Sequence, residues 1–123
     1  MMRAPIALAM DTDDLDVVAA WTRAVSPSVT TIKIGLECYL RHGSAVVDVV
    51  REMAPGIGIF LDLKLHDIPN TVGGAAAAVR GLRPEFLTVH ALGGMRMVAA
   101  AAASLRAAPS ARRFFLLQKS RWC

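Results

Sequence analysis

The chain repeats one pattern, in which a short apolar strand is followed by a helical stretch. Strand residues two positions apart share a face, whereas apolar residues three or four apart share one face of a helix. On this basis the sequence predicts four strands, each followed by helical sequence, at about 6–10, 30–34, 58–64 and 86–90. Short strands that alternate with helices predict parallel β-α units.

Polar and turn residues predict where the helices begin and end. Thr12 or Asp13 is expected to cap the first helix, and Asn70 the helix after the third strand. Short polar side chains suit these positions because they accept hydrogen bonds from the free N–H groups of the first turn. Gly81 is expected to adopt the left-handed conformation that closes many helices.

The third strand ends in charged residues. Alternation places Phe60, Asp62 and Lys64 on one face of the strand and the intervening leucines on the other. Asp67 follows three residues after Lys64, which completes an Asp-x-Lys-x-x-Asp motif. A surface ion pair is the ordinary explanation of charges at a strand end, and a motif alone is only a hypothesis.

The first two strands carry charged residues at the same end. Asp11 follows the first strand and Lys33 lies in the second, both on the predicted inner face. Neighbouring strands lie about 4.8 Å apart, so these side chains can meet those of Asp62 and Lys64 in one small site. A buried ion-pair network has the same composition, but repetition at three successive strand ends favours a functional site.

Two histidines lie close to this motif. His66 alternates away from Lys64 and is expected to be structural. In the fourth strand, alternation places Phe86, Thr88 and His90 on the inner face, where His90 is expected to be a hydrogen-bonded core residue.

The run from Asp62 to Thr71, DLKLHDIPNT, resembles the signature of the orotidine 5'-phosphate decarboxylase family. The Asp-x-Lys-x-x-Asp core is shared with phosphate-sugar decarboxylases and aldolase-like synthases, and the Ile-Pro-Asn-Thr continuation favours the orotidine enzymes. The resemblance covers about residues 4–108. It implies an α/β fold of parallel (β/α) units of a TIM barrel, a truncated half-barrel with about four of eight units, since a complete barrel needs about 250 residues.

The resemblance also implies decarboxylation of orotidine 5'-phosphate to uridine 5'-phosphate in de novo pyrimidine biosynthesis. Lys64 would be the catalytic acid, and Asp62 would lie against the departing carboxylate. Lys33 would hold this charged array and a ribose hydroxyl, and Asp11 would accept a hydrogen bond from the ribose.

Three further residues match the part of the family motif that enters the neighbouring subunit's site. They are Asp67, expected among the catalytic residues, and Ile68 and Thr71, expected among the substrate-binding ones. The resemblance thus implies a homodimer with shared active sites, a small-molecule nucleotide substrate, and no metal or organic cofactor.

Composition argues against other classes of function. Residues 1–110 contain ten basic and ten acidic residues, so the net charge of +4 comes from the last residues, Arg112, Arg113, Lys119 and Arg121. A short basic tail is not a basic face, and nucleic-acid binding is not expected. No apolar run reaches the roughly 18 residues of a membrane span, and a cytoplasmic protein is expected. Cys38 and Cys123 have no metal-ligand spacing.

Residues 1–110 are therefore expected to form the N-terminal half of a decarboxylase (β/α)8 barrel, followed by an atypical basic tail at 111–123. Within the tail, 114–117 is compatible with a strand or a helical turn. A truncated or frame-shifted product is expected, and half a barrel without its phosphate-binding loops is expected to be inactive alone. The alternatives are a related phosphate-sugar decarboxylase and a catalytically dead half-barrel that acts only as an interaction module.

Overall fold

The computed structural model describes residues 2–106 and a strand at 115–117. The chain divides into two compact units, Met1–Asp62 and Leu63–Cys123. In chain order the elements are β1 (Ala4–Ala9), α1 (Leu15–Val25), β2 (Val29–Gly35), α2 (Leu36–His42), α3 (Ala45–Met53), β3 (Gly58–Leu65), α4 (Pro69–Arg80), β4 (Phe86–His90), a 3₁₀ turn (Ala91–Gly93), α5 (Met95–Arg106) and β5 (Phe115–Leu117). The predicted alternation of strands and helices is confirmed. None of the described helices is long and apolar enough to cross a membrane.

In the first unit, β1, β2 and the start of β3 form a parallel sheet. Ala9 lies opposite Lys33, and Gly35 lies opposite Asp62. Because the strands are parallel and in this register, the carboxyl ends of all three lie at one edge of the sheet. The helix-facing side chains of β2, Ile32 and Ile34, are fully buried.

The helices of the first unit pack by valines at helical spacing. Val18 of α1 and Val46, Val47 and Val50 of α3 are fully buried. The predicted cap of α1 is wrong by one or two positions, since Asp14 caps the helix through Oδ1, which accepts hydrogen bonds from the N–H groups of Asp16 (2.8 Å) and Val17 (3.3 Å). Thr12 lies two positions earlier, where its hydroxyl accepts from the Asp14 N–H.

In the second unit, β5 pairs in parallel with β4, and α4 packs on α5. The helices approach closely because small residues line the contact. A side chain at Gly73 would place its Cβ 3.6 Å from the Cβ of Ala100 and 3.5 Å from Oγ of Ser104. The segment 115–117, left open between strand and helical turn, is a strand. The rest of the predicted tail, 111–114 and 118–123, lies outside the described residues.

The helix α4 ends at Arg80 as predicted, but the predicted cap and the predicted conformation of Gly81 are wrong. The helix begins at Pro69, which needs no hydrogen-bond acceptor for a first-turn N–H, so Asn70 is inside the helix and Ile68 occupies the cap position. At the other end Gly81 keeps helical dihedral angles, and Arg83 takes the left-handed conformation at φ 48°. A reverse turn closes the helix there, with Arg83 N–H donating to the Arg80 carbonyl.

Candidate active site

The strand ends of the first unit bring a lysine and an aspartate into an ion pair. Lys33 Nζ lies 3.1 Å from Asp62 Oδ2, and the two side chains are 28% and 7% exposed. Lys33 lies within β2 and Asp62 near the end of β3, so the pair crosses between neighbouring strands. A carboxylate this deeply buried is costly unless a cation or hydrogen-bond donors compensate it, and Lys33 supplies that charge.

Asp11 lies at the same edge of this sheet. The Met10 N–H donates to the Lys33 carbonyl at 2.9 Å, which places the residue after it beside the end of β2. A Cβ at Gly35 would be 3.9 Å from Asp11 Oδ1, and Gly35 is the register partner of Asp62. The first unit therefore brings Asp11, Lys33 and Asp62 to one place, as the alternation indicated.

A second ion pair in this unit serves as a contrast. Arg41 Nε lies 3.3 Å from Asp13 Oδ2, but both side chains are more than half exposed. Exposed pairs of this kind contribute little because water screens them. The two pairs have similar distances, but Lys33–Asp62 is much more buried than Arg41–Asp13. The buried pair is therefore the better candidate for a role in the chemistry of the site.

Lys64, in the second unit, has an uncommon backbone conformation. Its φ is 50°, in the left-handed region that residues other than glycine seldom adopt. Its N–H donates to Thr88 Oγ1 at 2.8 Å, and Thr88 is fully buried in β4. Strict strand alternation therefore ends at Lys64, which lies at an exposed position.

The residues after Lys64 form an exposed turn and the start of α4. Asp67, Ile68 and Thr71 are all exposed, and Ile68 keeps 65% of its surface accessible, which is unusual for so large an apolar side chain. Asp67 Oδ1 accepts a hydrogen bond from the Ile68 N–H at 2.7 Å. A cavity of about 620 Å³ adjoins this turn and is lined by His66, Asp67, Ile68, Pro69, Leu92 and Gly93.

The two histidines contact each other. The rings of His66 and His90 have centroids 5.1 Å apart and are tilted by 35°. The contact agrees with a structural role for His66. The expectation of a hydrogen-bonded core His90 is not met at Nδ1, which is buried and has no hydrogen-bond partner within the described part of the chain.

In the described part of the chain, the other chemically capable side chains indicate neither a metal site nor a reactive thiol. Among the described residues, no group of three or more His, Cys, Asp or Glu side chains could hold a metal ion. Cys38 is buried in α2, and burial, followed by the charges of Asp13 and Glu37, raises the pKa of its thiol. A buried thiol with a raised pKa is a poor nucleophile at neutral pH. Cys123 lies outside the described residues.

Sequence reasoning missed two features of this region. Alternation placed Thr88 on the inner face but suggested no task for its hydroxyl. The left-handed conformation of Lys64 also has no sequence signal, because lysine is not a residue that favours it. Each feature depends on a contact between residues more than 20 positions apart, which local patterns do not report.

Comparison with known proteins agrees with the motif. The family model described as orotidine 5'-phosphate decarboxylase / HUMPS family matches residues 4–120. An orotidine 5'-phosphate decarboxylase of Thermobifida fusca is 57% identical over 111 residues, which make up 90% of this chain and 46% of the relative. A second, from Frankia casuarinae, is 43% identical and covers 87% of this chain and 44% of its own length.

The likeness extends to solved structures. The crystal structure of orotidine 5'-phosphate decarboxylase from Lactobacillus acidophilus matches with a TM-score of 0.73 and 34% identity, over 93% of this chain and 51% of that one. The chain thus spans about half the length of the relatives that it matches, as the count of four β-α units implies. It belongs to the orotidine 5'-phosphate decarboxylase / HUMPS family.

Proposed function

We propose that the protein containing these residues decarboxylates orotidine 5'-phosphate to uridine 5'-phosphate, a step of de novo pyrimidine synthesis. The observation that carries the proposal is the run from Asp62 to Thr71, in a chain whose Asp62 is buried and paired with Lys33. An array of opposite charges at strand ends suits a reaction in which a carboxylate leaves and a carbanion is protonated.

In the proposed reaction, Lys64 supplies the proton. The bond between the pyrimidine ring and its carboxylate breaks, carbon dioxide departs, and the electron pair stays on the ring carbon. The Lys64 ammonium stabilises this negative charge and then donates its proton to that carbon, and a proton from water later restores the ammonium. The steps require no metal or organic cofactor.

The charged groups of the site are held in fixed positions by Lys33, Asp62 and Asp11. Asp62 lies against the departing carboxylate, and its ion pair with Lys33 compensates its charge at its buried position. Lys33 also binds a ribose hydroxyl, and Asp11, which is exposed at the same sheet edge, accepts a hydrogen bond from the ribose. Fixed charges of this kind cost no reorganisation when the substrate reacts.

Asp67, Ile68 and Thr71 complete the site of a second subunit. Their exposure supports this role, because residues that reach a partner's site must be accessible in the single chain. The whole protein is accordingly proposed to be a homodimer with shared sites. We place it in the cytoplasm, since its substrate and product are charged nucleotides.

The phosphate of the substrate is bound elsewhere in the proposed protein. Barrels of this type usually grip phosphate with the loops after strands seven and eight. Binding energy from a remote group holds and activates a substrate, so residues 1–123 alone are expected to show no turnover. Without phosphate-binding loops an isolated chain would be inactive, even though its strand-end residues have the roles proposed above.

A full-length chimera tests the proposed function. It joins residues 1–110 of this chain to the corresponding remainder of the Thermobifida fusca relative. We expect the purified chimera to consume orotidine 5'-phosphate, followed by absorbance, and to restore growth without pyrimidines to a bacterium that lacks its own decarboxylase. The Thermobifida enzyme itself is the positive control.

Two outcomes would contradict the proposal. A folded chimera that releases carbon dioxide from a phosphorylated sugar acid, but not from orotidine 5'-phosphate, would identify a phosphate-sugar decarboxylase. A folded chimera inactive on both substrates would favour a catalytically dead interaction module.

A further inference from the structure

Thr88 is a buried polar residue whose hydroxyl accepts a hydrogen bond from the backbone. It is fully buried in β4, in a strand whose neighbouring residues Leu87 and Val89 are also buried. Its Oγ1 accepts a hydrogen bond of 2.8 Å from the backbone N–H of Lys64, 24 residues earlier in the chain. Burying a hydroxyl without a hydrogen bond is costly, and this bond offsets that cost for Thr88.

The backbone conformation of Lys64 differs from that of a regular strand. Lys64 lies in β3 but has a φ of 50°. Buried or half-buried N–H groups require acceptors. The Thr88 hydroxyl is such an acceptor for the Lys64 N–H.

Uncommon backbone conformations persist where surrounding structure enforces them, and they concentrate at functional sites. The backbone conformation at Lys64 determines where its side chain begins, and thereby where its ammonium can reach. Any group that stabilises φ of 50° at Lys64 therefore also restricts the positions available to the ammonium.

We propose that Thr88 is a positioning residue for Lys64, and this inference rests on the proposed catalytic role of Lys64. The hydroxyl does not touch the substrate. It holds the Lys64 backbone in the left-handed conformation. The ammonium is then in place before the carbanion forms, and the side chain does not have to change conformation when the proton is transferred.

Three variants of the full-length chimera test this inference. Thr88→Val keeps the shape of the side chain and removes the acceptor, whereas Thr88→Ser keeps the acceptor. Thr22→Val is the matched control, because Thr22 is equally buried but its hydroxyl has no hydrogen-bond partner in the described residues. Hydrogen exchange of the Lys64 amide reports the bond itself, and steady-state kinetics report the position of the ammonium.

In Thr88→Val we expect the Lys64 amide to exchange faster and kcat to fall by about 10²-fold, the cost of a small misplacement of a catalytic group. KM should stay within about twofold, since an interaction used only in the transition state affects kcat. Thr88→Ser and Thr22→Val should keep the parent's kcat and Lys64 exchange. If Thr88→Val does not fold, Thr88→Cys, whose sulfur is a weak acceptor, replaces it.

Different results would overturn the inference about Thr88 and the proposed function. If the parent chimera is active and Thr88→Val keeps its kcat, Thr88 is not a positioning residue, although the decarboxylase assignment stands. If Thr88→Val lowers kcat only as much as Thr22→Val does, the effect is one of packing and the inference is again overturned. An inactive parent contradicts the proposed function. In that case, unchanged exchange of the Lys64 amide in Thr88→Val would also show that the Thr88 hydroxyl does not hold the Lys64 N–H.

Discussion

Two lysines, one in each unit, are held by different means. Lys33, in the first unit, has an ordinary strand backbone, and its side chain is held by an ion pair with the buried Asp62. Lys64, in the second unit, has a left-handed backbone whose N–H is bound by the buried Thr88. One lysine is thus fixed at its charged end, and the other at its main chain.

The difference suits the two proposed tasks. The ammonium of Lys33 compensates the charge of the buried Asp62 carboxylate. The backbone hydrogen bond of Lys64 restricts where its side chain begins, which suits a group that must act on a charge formed only during the reaction. In the proposed reaction both lysines act in the site, Lys33 by holding the charged array and Lys64 by donating the proton, and the following changes test this difference.

Replacing Lys64 should have the largest effect on activity. In the full-length chimera, Lys64→Ala should lower kcat by at least about 10²–10⁴-fold, the usual contribution of positioned proton transfer. Its free energy of unfolding should change little, because Lys64 lies at an exposed position. Steady-state kinetics and urea unfolding measure the two quantities. The control is Arg106→Ala, which changes an exposed residue of α5. Near-normal turnover of Lys64→Ala would show that Lys64 does not take part in the mechanism.

A mixing experiment tests which subunit the second region serves. Inactive Asp67→Ala and Lys64→Ala chimeras, unfolded and refolded together, should recover about a quarter of the parent's activity, since half the dimers are mixed and each has one intact site. Activity of the mixture against each variant alone is the measurement. No recovery, once mass spectrometry has shown the mixed dimers, would count against shared sites.

Breaking the Lys33–Asp62 pair should lower stability as well as activity. Lys33→Ala leaves a carboxylate that is 7% exposed without its cation, which should lower the free energy of unfolding by about 2 kcal/mol. The double variant Lys33→Ala with Asp62→Asn should recover part of this loss, because the amide is neutral. Arg41→Ala, which breaks the exposed Arg41–Asp13 pair, should cost less than about 1 kcal/mol in the same urea titration. Equal losses in Lys33→Ala and Arg41→Ala would show that burial does not distinguish the pairs.

Glycine at position 64 should relieve backbone strain. Lys64→Gly should be more stable than Lys64→Ala by about 1 kcal/mol, because glycine adopts positive φ without a Cβ clash. Arg83, the other non-glycine residue at positive φ among those described, provides a matched pair, and Arg83→Gly should exceed Arg83→Ala by a similar amount. Thermal unfolding of all four variants checks this. If alanine is the more stable at position 64 alone, the backbone there is not left-handed in solution.

The smallest expected effect concerns Cys38 and alkaline pH. Burial raises the pKa of the Cys38 thiol above its ordinary value of 9.0, so the folded state favours the neutral thiol. The stability that this provides is complete below the pKa of the unfolded chain and is lost as pH rises through the folded value. Between pH 8 and 10.5 the free energy of unfolding should therefore fall further in the parent than in Cys38→Ala. The difference between the two falls should be roughly 1 kcal/mol or less. Parallel curves would contradict a raised pKa.

Much of the fold could be predicted from local patterns. Period-two alternation placed the four strands within a few residues, and Phe86–His90 matches at both ends. Alternation also indicated that Asp11, Lys33 and Asp62 meet, which parallel register makes unavoidable once the strands are adjacent. The helix ends were harder: capping candidates are adjacent in sequence, and the choice of Asp14 over Thr12 or Asp13 depends on how the chain leaves β1.

The sequence by itself determined the family, the parallel β-α order, and the charged residues at the strand ends. Only the tertiary structure decided that Asp62 is deeply buried beside Lys33, that Lys64 is left-handed, and that Thr88 binds its N–H. Alternation and motifs describe residues a few positions apart, whereas burial and backbone strain depend on what packs against a residue from distant parts of the chain. A lysine's intrinsic preference is for other conformations, so its conformation at position 64 follows from its surroundings.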